Sequence, residues 1–121
     1  MLLYEGLSNQ IVEGFIRVHN ELGPALLESC YHNALYVELK AAGLSVNYNA
    51  PFNVFYRGET VGEFFADLAV EGRAIIEIKS VKALSAANEA QLLNYLHISG
   101  CRLGYLVNFQ GSRAVWKRFV V

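Results

Sequence analysis

The stretch AIIEIKS, residues 74–80, constrains the fold of this chain more than any other segment. Isoleucine favours strands, and a short apolar run of this kind is typical of a strand buried on both faces. Glu77 and Lys79 nevertheless stand within it, two residues apart, and residues at that spacing share one face of a strand. Burying charge is costly unless the charges are paired or bind a ligand. The segment is therefore either a strand with a structural Glu–Lys ion pair or part of a functional site.

The segments around this strand predict an α/β fold in a single domain spanning residues 1–121. Apolar periodicity, N-caps at Ser8 and Ser85, and glycine stops predict helices over 8–22, 27–42 and 86–99, and Leu27 is expected on the inner face of the second helix. Alternating apolar residues and turn signals predict strands over 44–50, 52–56, 60–70, 74–80, 102–109 and 114–121, with Pro51 interrupting the first pair. The order is α-α-β-β-β-β-α-β-β. Strands joined by short turns are antiparallel, whereas the β-α-β step through the third helix can return parallel, so we expect a mixed sheet flanked by helices.

The loop between strands 60–70 and 74–80 decides whether Asp67 joins the charged pair. A three-residue loop over 71–73 places Asp67 directly opposite Glu77, because opposed residues share a face. A two-residue loop would instead place Asp67 opposite Ile76. The first alternative gathers Asp67, Glu77 and Lys79 on one side of the sheet.

Two carboxylates and an ammonium in one place indicate a particular chemistry. Nothing in packing requires Asp67 and Glu77 to lie together, and a hard divalent cation such as Mg²⁺ relieves their repulsion. Lys79 would then position or deprotonate a metal-bound water, or stabilise charge on a phosphate. This set of groups is suited to metal-assisted hydrolysis of a phosphodiester.

Composition and charge limit the class of protein only loosely. No run of about 18 apolar residues predicts a membrane span, and the N-terminus does not have the pattern of a signal peptide. The two cysteines, without a CxxC pair, fit reduced thiols in a cytoplasmic protein. The net charge of −1 speaks against a large basic patch, although the C-terminal residues Arg113, Lys117 and Arg118 form either a solvated strand face or a contact for nucleic acid. The hydrophobic fraction of 54% favours a homodimer interface.

The spacing D67-x9-E77-x-K79 resembles the signature of the PD-(D/E)XK nuclease superfamily. The resemblance implies a restriction-endonuclease-like fold in which Asp67, Glu77 and the backbone carbonyl of Ile78 bind Mg²⁺ or Mn²⁺ while Lys79 assists the attacking water. The third helix adds Gln91 and Tyr95, which match the Q-x-x-x-Y element of the RecB-like branch and share a helix face. Tyr95 is otherwise a core aromatic residue whose hydroxyl is satisfied.

Three further segments, VHNELGPALLESCY, EAQLLNYL and LGYLVNF, resemble the small bacterial family of GxxExxY proteins over nearly the whole chain. Ala25 stands where that family has its first motif glycine, while Glu28 and Tyr31 are retained. The resemblance makes Glu28 a third acid of the site; the alternative is a first-turn Glu that complements the helix dipole. Tyr31 belongs to the core or supports the site, and His19 either lines the site or is structural.

The resulting interpretation is a bacterial, cytoplasmic nuclease that hydrolyses nucleic acid, DNA in preference to RNA, with Mg²⁺ or Mn²⁺. The competing interpretation is a non-catalytic module that retains the fold and binds nucleic acid or protein. The low overall basicity favours the module, because a nuclease usually shows an electropositive surface.

Overall fold

The computed structural model describes residues 2–121, which form three helices and five strands. The helices are α1 (Glu5–Leu22), α2 (Glu28–Ala41) and α3 (Ala86–Ser99), and the strands are β1 (Val46–Tyr56), β2 (Glu59–Val70), β3 (Ala74–Lys79), β4 (Leu103–Asn108) and β5 (Val115–Val120). The predicted α/β class and the mixed sheet flanked by helices are confirmed.

Pro51 does not divide the first strand, so the two strands expected over 44–50 and 52–56 form the single strand β1. Pro51 pairs with Phe65 of β2, and β1 is an edge strand. Since proline has no N–H, the ladder continues through it only where its nitrogen faces away from the neighbouring strand. An edge strand provides that position, whereas a central strand does not.

The five strands lie in the order β1-β2-β3-β4-β5, and among them only β3 and β4 are parallel. The helix α3 provides the crossover between these two strands, as expected. The ladder between β2 and β3 covers only Leu68–Val70 on β2, while β1 and β2 stay paired as far as Tyr56 and Glu59. The outer halves of β1 and β2 therefore extend beyond β3 as a two-stranded ribbon.

The sheet buries one apolar cluster on each face. The helices α1 and α2 cover the face that carries Ile76 and Ile78 of β3, and α3 covers the face that carries Ile75. Gly104 of β4 allows α3 to approach closely, since a Cβ there would lie 2.8 Å from Leu96 Cδ1. Glu77 and Lys79 alternate with Ile76 and Ile78, so they belong to the face that α3 covers.

The helix ends agree with the sequence at α3 and differ at α1. Ser85 caps α3 as predicted, in a capping box with Asn88. Ser8 was expected to cap α1, but this helix begins at Glu5, and the Ser8 side chain is buried inside it, 3.4 Å from an Arg118 nitrogen. The extra turn is explained by tertiary contacts, because Arg118 also donates to the carbonyl of Leu3.

Candidate active site

The hairpin between β2 and β3 has the three-residue loop that brings the two acids together. Val70 pairs with Ala74, and Arg73 N–H donates to the Val70 carbonyl at 3.0 Å. The turn needs positive φ at Glu71 (56°) and Gly72 (63°), and glycine adopts that conformation without steric cost. The last pair of this ladder is Leu68 with Ile76, so the register places Asp67 opposite Glu77.

Asp67 is fixed by both its side chain and its main chain. Its Oδ2 accepts a 2.7 Å hydrogen bond from the Ile78 N–H, just beyond the point where the β2–β3 backbone ladder ends. Its backbone carbonyl accepts a 2.8 Å hydrogen bond from the Nε2–H of His32. The aspartate thus holds the end of β2 to β3 on one side and to α2 on the other. Sequence reasoning assigned His32 no role, and no local pattern marks this contact across 35 residues of chain.

Glu77 is a buried acid that has no ion pair among residues 2–121. The residue is 4% exposed, and its Oε1 has no hydrogen-bond partner. The pKa of its carboxyl is raised from 4.5 to about 9, mainly by burial and then by the charge and hydrogen bonding of Asp67, while the charge of Lys79 partly opposes the rise. Each pKa unit corresponds to about 1.4 kcal/mol, so this carboxylate costs much to ionise in the absence of a cation.

Lys79 ends β3 and is half-buried. The ion pairs among residues 2–121 join Arg17 to Glu13 and Glu38, and Lys117 to Glu89; none of them includes Lys79. Its charge nevertheless lowers the pKa of Glu77, and the strand alternation places Lys79 on the same face of β3 as Glu77. Glu77 and Lys79 therefore do not form the direct ion pair that was one of the two alternatives for residues 74–80.

The turn after β3 is held by Asn108, a buried residue at the end of β4 that pairs with Lys79 in the parallel register. Its Oδ1 accepts from the Val81 N–H at 3.1 Å, and its Nδ2 donates to the Val81 carbonyl at 2.8 Å. The Phe109 N–H also donates to the Lys79 carbonyl at 3.0 Å. Sequence reasoning missed Asn108, because its partner lies 27 residues away on a turn that only the fold brings close.

The helix α3 carries the predicted polar pair, Gln91 and Tyr95, in mutual contact. Gln91 Nε2 donates to the Tyr95 hydroxyl at 3.0 Å, and the Tyr95 ring stacks on Phe64 with centroids 4.1 Å apart. Partial burial raises the pKa of the Tyr95 hydroxyl, and the charge of Glu77 adds to this effect, while the Gln91 hydrogen bond opposes it. Tyr95 is therefore within electrostatic reach of the candidate site, and its ring is also packed.

Glu28 is the exposed first residue of α2, and two contacts place the start of this helix beside β2 and the end of β3. Ser80 Oγ donates to the Leu26 carbonyl at 2.7 Å. One turn beyond Glu28, His32 contacts Asp67, and residues at i and i+4 share a helix face. Among residues 2–121, however, no group of three or more His, Cys, Asp or Glu side chains is arranged to hold a metal ion. Glu28 thus lies on the helix face that contacts Asp67 but does not complete a three-acid cluster with Asp67 and Glu77.

Tyr31 and His19 are both tied to backbone groups. The Tyr31 hydroxyl donates to the Gly23 carbonyl at 2.6 Å and accepts from the Leu26 N–H at 3.1 Å, so it holds the connection that precedes Glu28. Its buried ring stacks on Phe109 at 4.7 Å. Nε2 of His19, which is also buried, lies 2.8 Å from the carbonyl of Gly111, on the connection between β4 and β5.

The basic residues near the C-terminus are partly engaged within the protein. Lys117 pairs with Glu89, and Arg118 is engaged by the backbone of Leu3, so two of the three basic C-terminal residues have intramolecular partners. The groove between α1 and α2, with a volume of ≈ 330 Å³, is lined by residues other than the predicted site residues. No helix in the described part of the chain is long and apolar enough to cross a membrane.

The mixed sheet, the parallel β3–β4 pair and the two acids, Asp67 on β2 and Glu77 on β3, define an α/β domain of the nuclease type. The chain belongs to the PD-(D/E)XK nuclease superfamily, whose sequence profile matches residues 5–119. The crystal structure of SSO0001 is similar in fold, with a TM-score of 0.60 and 17% sequence identity over 97% of this chain. This chain spans 59% of the length of SSO0001. No curated protein has a significant match to it.

Proposed function

We propose that this chain is a divalent-metal-dependent nuclease, with Asp67 and Glu77 as metal ligands. The observation that carries the proposal is the unpartnered Oε1 of Glu77, buried beside Asp67. A buried, like-charged pair is unfavourable without a cation, and carboxylate oxygens are the preferred ligands of Mg²⁺ and Mn²⁺.

The Ile78 carbonyl fits the same ligand set. The N–H and C=O of one strand residue point to the same edge, and the Ile78 N–H points to Asp67. The β2–β3 ladder has ended by this point, so the carbonyl has no partner on β2. Two carboxylates and one carbonyl would leave the remaining positions of a Mg²⁺ ion to waters and substrate oxygens.

The chain's own groups then divide the work of hydrolysis. A bound metal ion would supply Lewis-acid activation of water and of the phosphate. Lys79 orients the attacking water or stabilises the developing negative charge on the phosphate. Glu28, at the exposed start of α2, is proposed as a third acid, while Gln91 and Tyr95 hydrogen-bond the substrate or a site residue from α3. Tyr31 supports Glu28 through the connection it holds, and His19 is proposed as structural.

Within the superfamily we place the chain among the GxxExxY proteins of the RecB-like branch. The support is the retained Glu28, Tyr31, Gln91 and Tyr95, together with the backbone at Ala25. Its φ of 62° is one that glycine adopts most readily, which accounts for a glycine at the first motif position. We further propose a bacterial, cytoplasmic protein with one domain over residues 1–121, which acts on DNA in preference to RNA and forms a homodimer.

The test is metal-dependent cleavage of labelled single-stranded and duplex DNA and RNA by the wild type, Lys79→Ala and Glu77→Gln. We expect cleavage with Mg²⁺ or Mn²⁺ and none with EDTA. Lys79→Ala should lose activity while retaining a Mn²⁺-induced rise in melting temperature, whereas Glu77→Gln should lose both.

Lys82→Ala is the matched control for Lys79, since Lys82 is an exposed lysine three residues away. Equal cleavage rates for the wild type and Lys79→Ala would remove Lys79 from the mechanism. Absence of cleavage for every nucleic acid at every metal concentration would reject the nuclease function.

A non-catalytic module is the second candidate. The described chain lacks a three-acid metal group, and two of its C-terminal cations are engaged internally. Both observations favour a domain that retained the fold without full catalytic machinery. Metal-independent binding of a nucleic acid or a protein, without turnover, would support this alternative.

A further inference from the structure

Asn108 continues the β-ladder with its side chain beyond the end of the backbone pairing. The register between β3 and β4 ends at Lys79 with Asn108. One amide then satisfies both the N–H and the C=O of Val81, at 3.1 and 2.8 Å. Its Oδ1 also accepts from the Gln110 N–H at 3.3 Å. A buried amide with this many partners fixes its surroundings tightly, because each lost partner would leave a buried polar group unsatisfied.

The turn held by this amide connects Lys79, at the end of β3, with the segment that precedes Glu28, at the start of α2. Lys79 precedes the turn, and its carbonyl is bound by the Phe109 N–H. Ser80 lies between Lys79 and Val81 and donates to the Leu26 carbonyl, two residues before Glu28. The direction of the Lys79 side chain and the position of the α2 start therefore depend on the same short turn.

We propose that Asn108 is a positioning residue of the site: by clamping Val81 it sets the direction of Lys79 and, through Ser80, the position of the segment that carries Glu28. The role in turnover rests on the proposed nuclease function, whereas the mechanical role does not. Asn108 does not point its amide at the acids, since both ends of that amide are occupied by backbone groups. Its effect on catalysis is therefore indirect.

The experiment compares Asn108→Ala and Asn108→Asp with the wild type and with Asn9→Ala, an exposed asparagine on α1 that serves as the matched control. Amide hydrogen exchange is measured at Val81 and Phe109, with Leu106 in the middle of β4 as the internal reference. We expect Asn108→Ala to accelerate exchange at Val81 and Phe109 more than at Leu106. Asn108→Asp, which keeps the acceptor for the Val81 N–H, should lie nearer to the wild type.

Turnover is measured on the same proteins with the nucleic acid that the wild type cleaves. We expect Asn108→Ala to lower kcat by about 10–100-fold, as small misplacements of catalytic groups do, while KM and the Mn²⁺-induced melting shift change less than about twofold. A purely structural role would instead reduce the Mn²⁺ response and the folded fraction together with activity. If Asn108→Ala does not fold, the same exchange and turnover measurements on Asn108→Asp decide whether Asn108 positions the site.

Two results overturn the inference: exchange at Val81 and Phe109 that rises no more than at Leu106, or a folded variant with accelerated exchange at Val81 and an unchanged kcat. If the wild type cleaves nothing, the nuclease proposal fails, and the exchange data alone decide whether Asn108 holds the turn.

Discussion

Replacing Glu77 with Gln should stabilise the metal-free protein, and increasingly so as the pH rises. The pKa of the Glu77 carboxyl is raised from 4.5 to about 9, first by burial and then by Asp67. The folded state therefore holds a proton that the unfolded state releases near pH 4.5. The contribution of neutral Glu77 to stability is fully present below that pH and is lost as the pH rises toward 9. A neutral amide has no such dependence.

The size of the effect follows from the distance between the pH and the unfolded pKa. At pH 7, which is about 2.5 units above the ordinary pKa, the unfolded state gains by releasing the proton that the folded state keeps. At ~1.4 kcal/mol per unit, this lowers the free energy of unfolding of the wild type by about 3 kcal/mol. At pH 5 the same reduction is below ~1 kcal/mol. For a chain of this length the unfolding entropy is roughly 0.25 kcal/mol/K, so the difference at pH 7 amounts to about 10 °C in Tm.

The assay is thermal unfolding of the wild type and Glu77→Gln in EDTA, from pH 5 to pH 8. Glu59→Gln is the control, since Glu59 is exposed at the start of β2 and its substitution should give a small difference that does not vary with pH. A Tm difference between Glu77→Gln and the wild type that stays constant across this range would refute the reasoning. It would show that Glu77 is ionised in the folded protein without a metal ion.

Three further outcomes are expected. Mn²⁺ at a hundredfold excess over Kd should stabilise the wild type by about 2.7 kcal/mol and leave Glu77→Gln unchanged; equal Tm shifts in both would place the metal elsewhere. Ala25→Gly should raise the free energy of unfolding, measured in urea, by up to ~1 kcal/mol, because φ at Ala25 is 62°. The control is Ala42→Gly, which should give no such gain, since φ at Ala42 is −77°. A lower free energy of unfolding for Ala25→Gly would contradict this prediction. Gln91→Ala should lower turnover more than Tm, since it deletes an exposed contact to Tyr95, and the reverse would make Gln91 structural.

The parts of the fold and site that follow from local rules could be predicted from sequence. The loop Glu71–Arg73 has a glycine where the turn needs positive φ, and that loop length alone sets Asp67 opposite Glu77. Ser85 before an apolar helix was enough to locate the start of α3. The i, i+4 spacing of Gln91 and Tyr95 likewise brought their polar groups into contact.

The parts that depend on packing between distant segments could not be predicted. Pro51 predicts a break in the strand, and only the position of β1 at the edge of the sheet explains why the strand continues through it. Leu27 was expected on the inner face of α2 but is 74% exposed, because the helix begins after it. The roles of His32 and Asn108 rest on partners far along the chain, and no local spacing encodes them.

The unbroken passage of β1 through Pro51 has a consequence for association between chains. The ribbon formed by the outer halves of β1 and β2 exposes Phe55, Tyr56, Val61 and Phe65, a composition that promotes intermolecular sheet growth. On the free edge of β1, however, Pro51 removes one donor, and the register shift between Val54 and Phe55 breaks the regular spacing. An extended strand from another chain would find neither a continuous row of N–H groups nor a constant register along this edge. Pro51, which the sequence suggested as an interruption of the strand, therefore makes this apolar edge a poor template for sheet growth between chains.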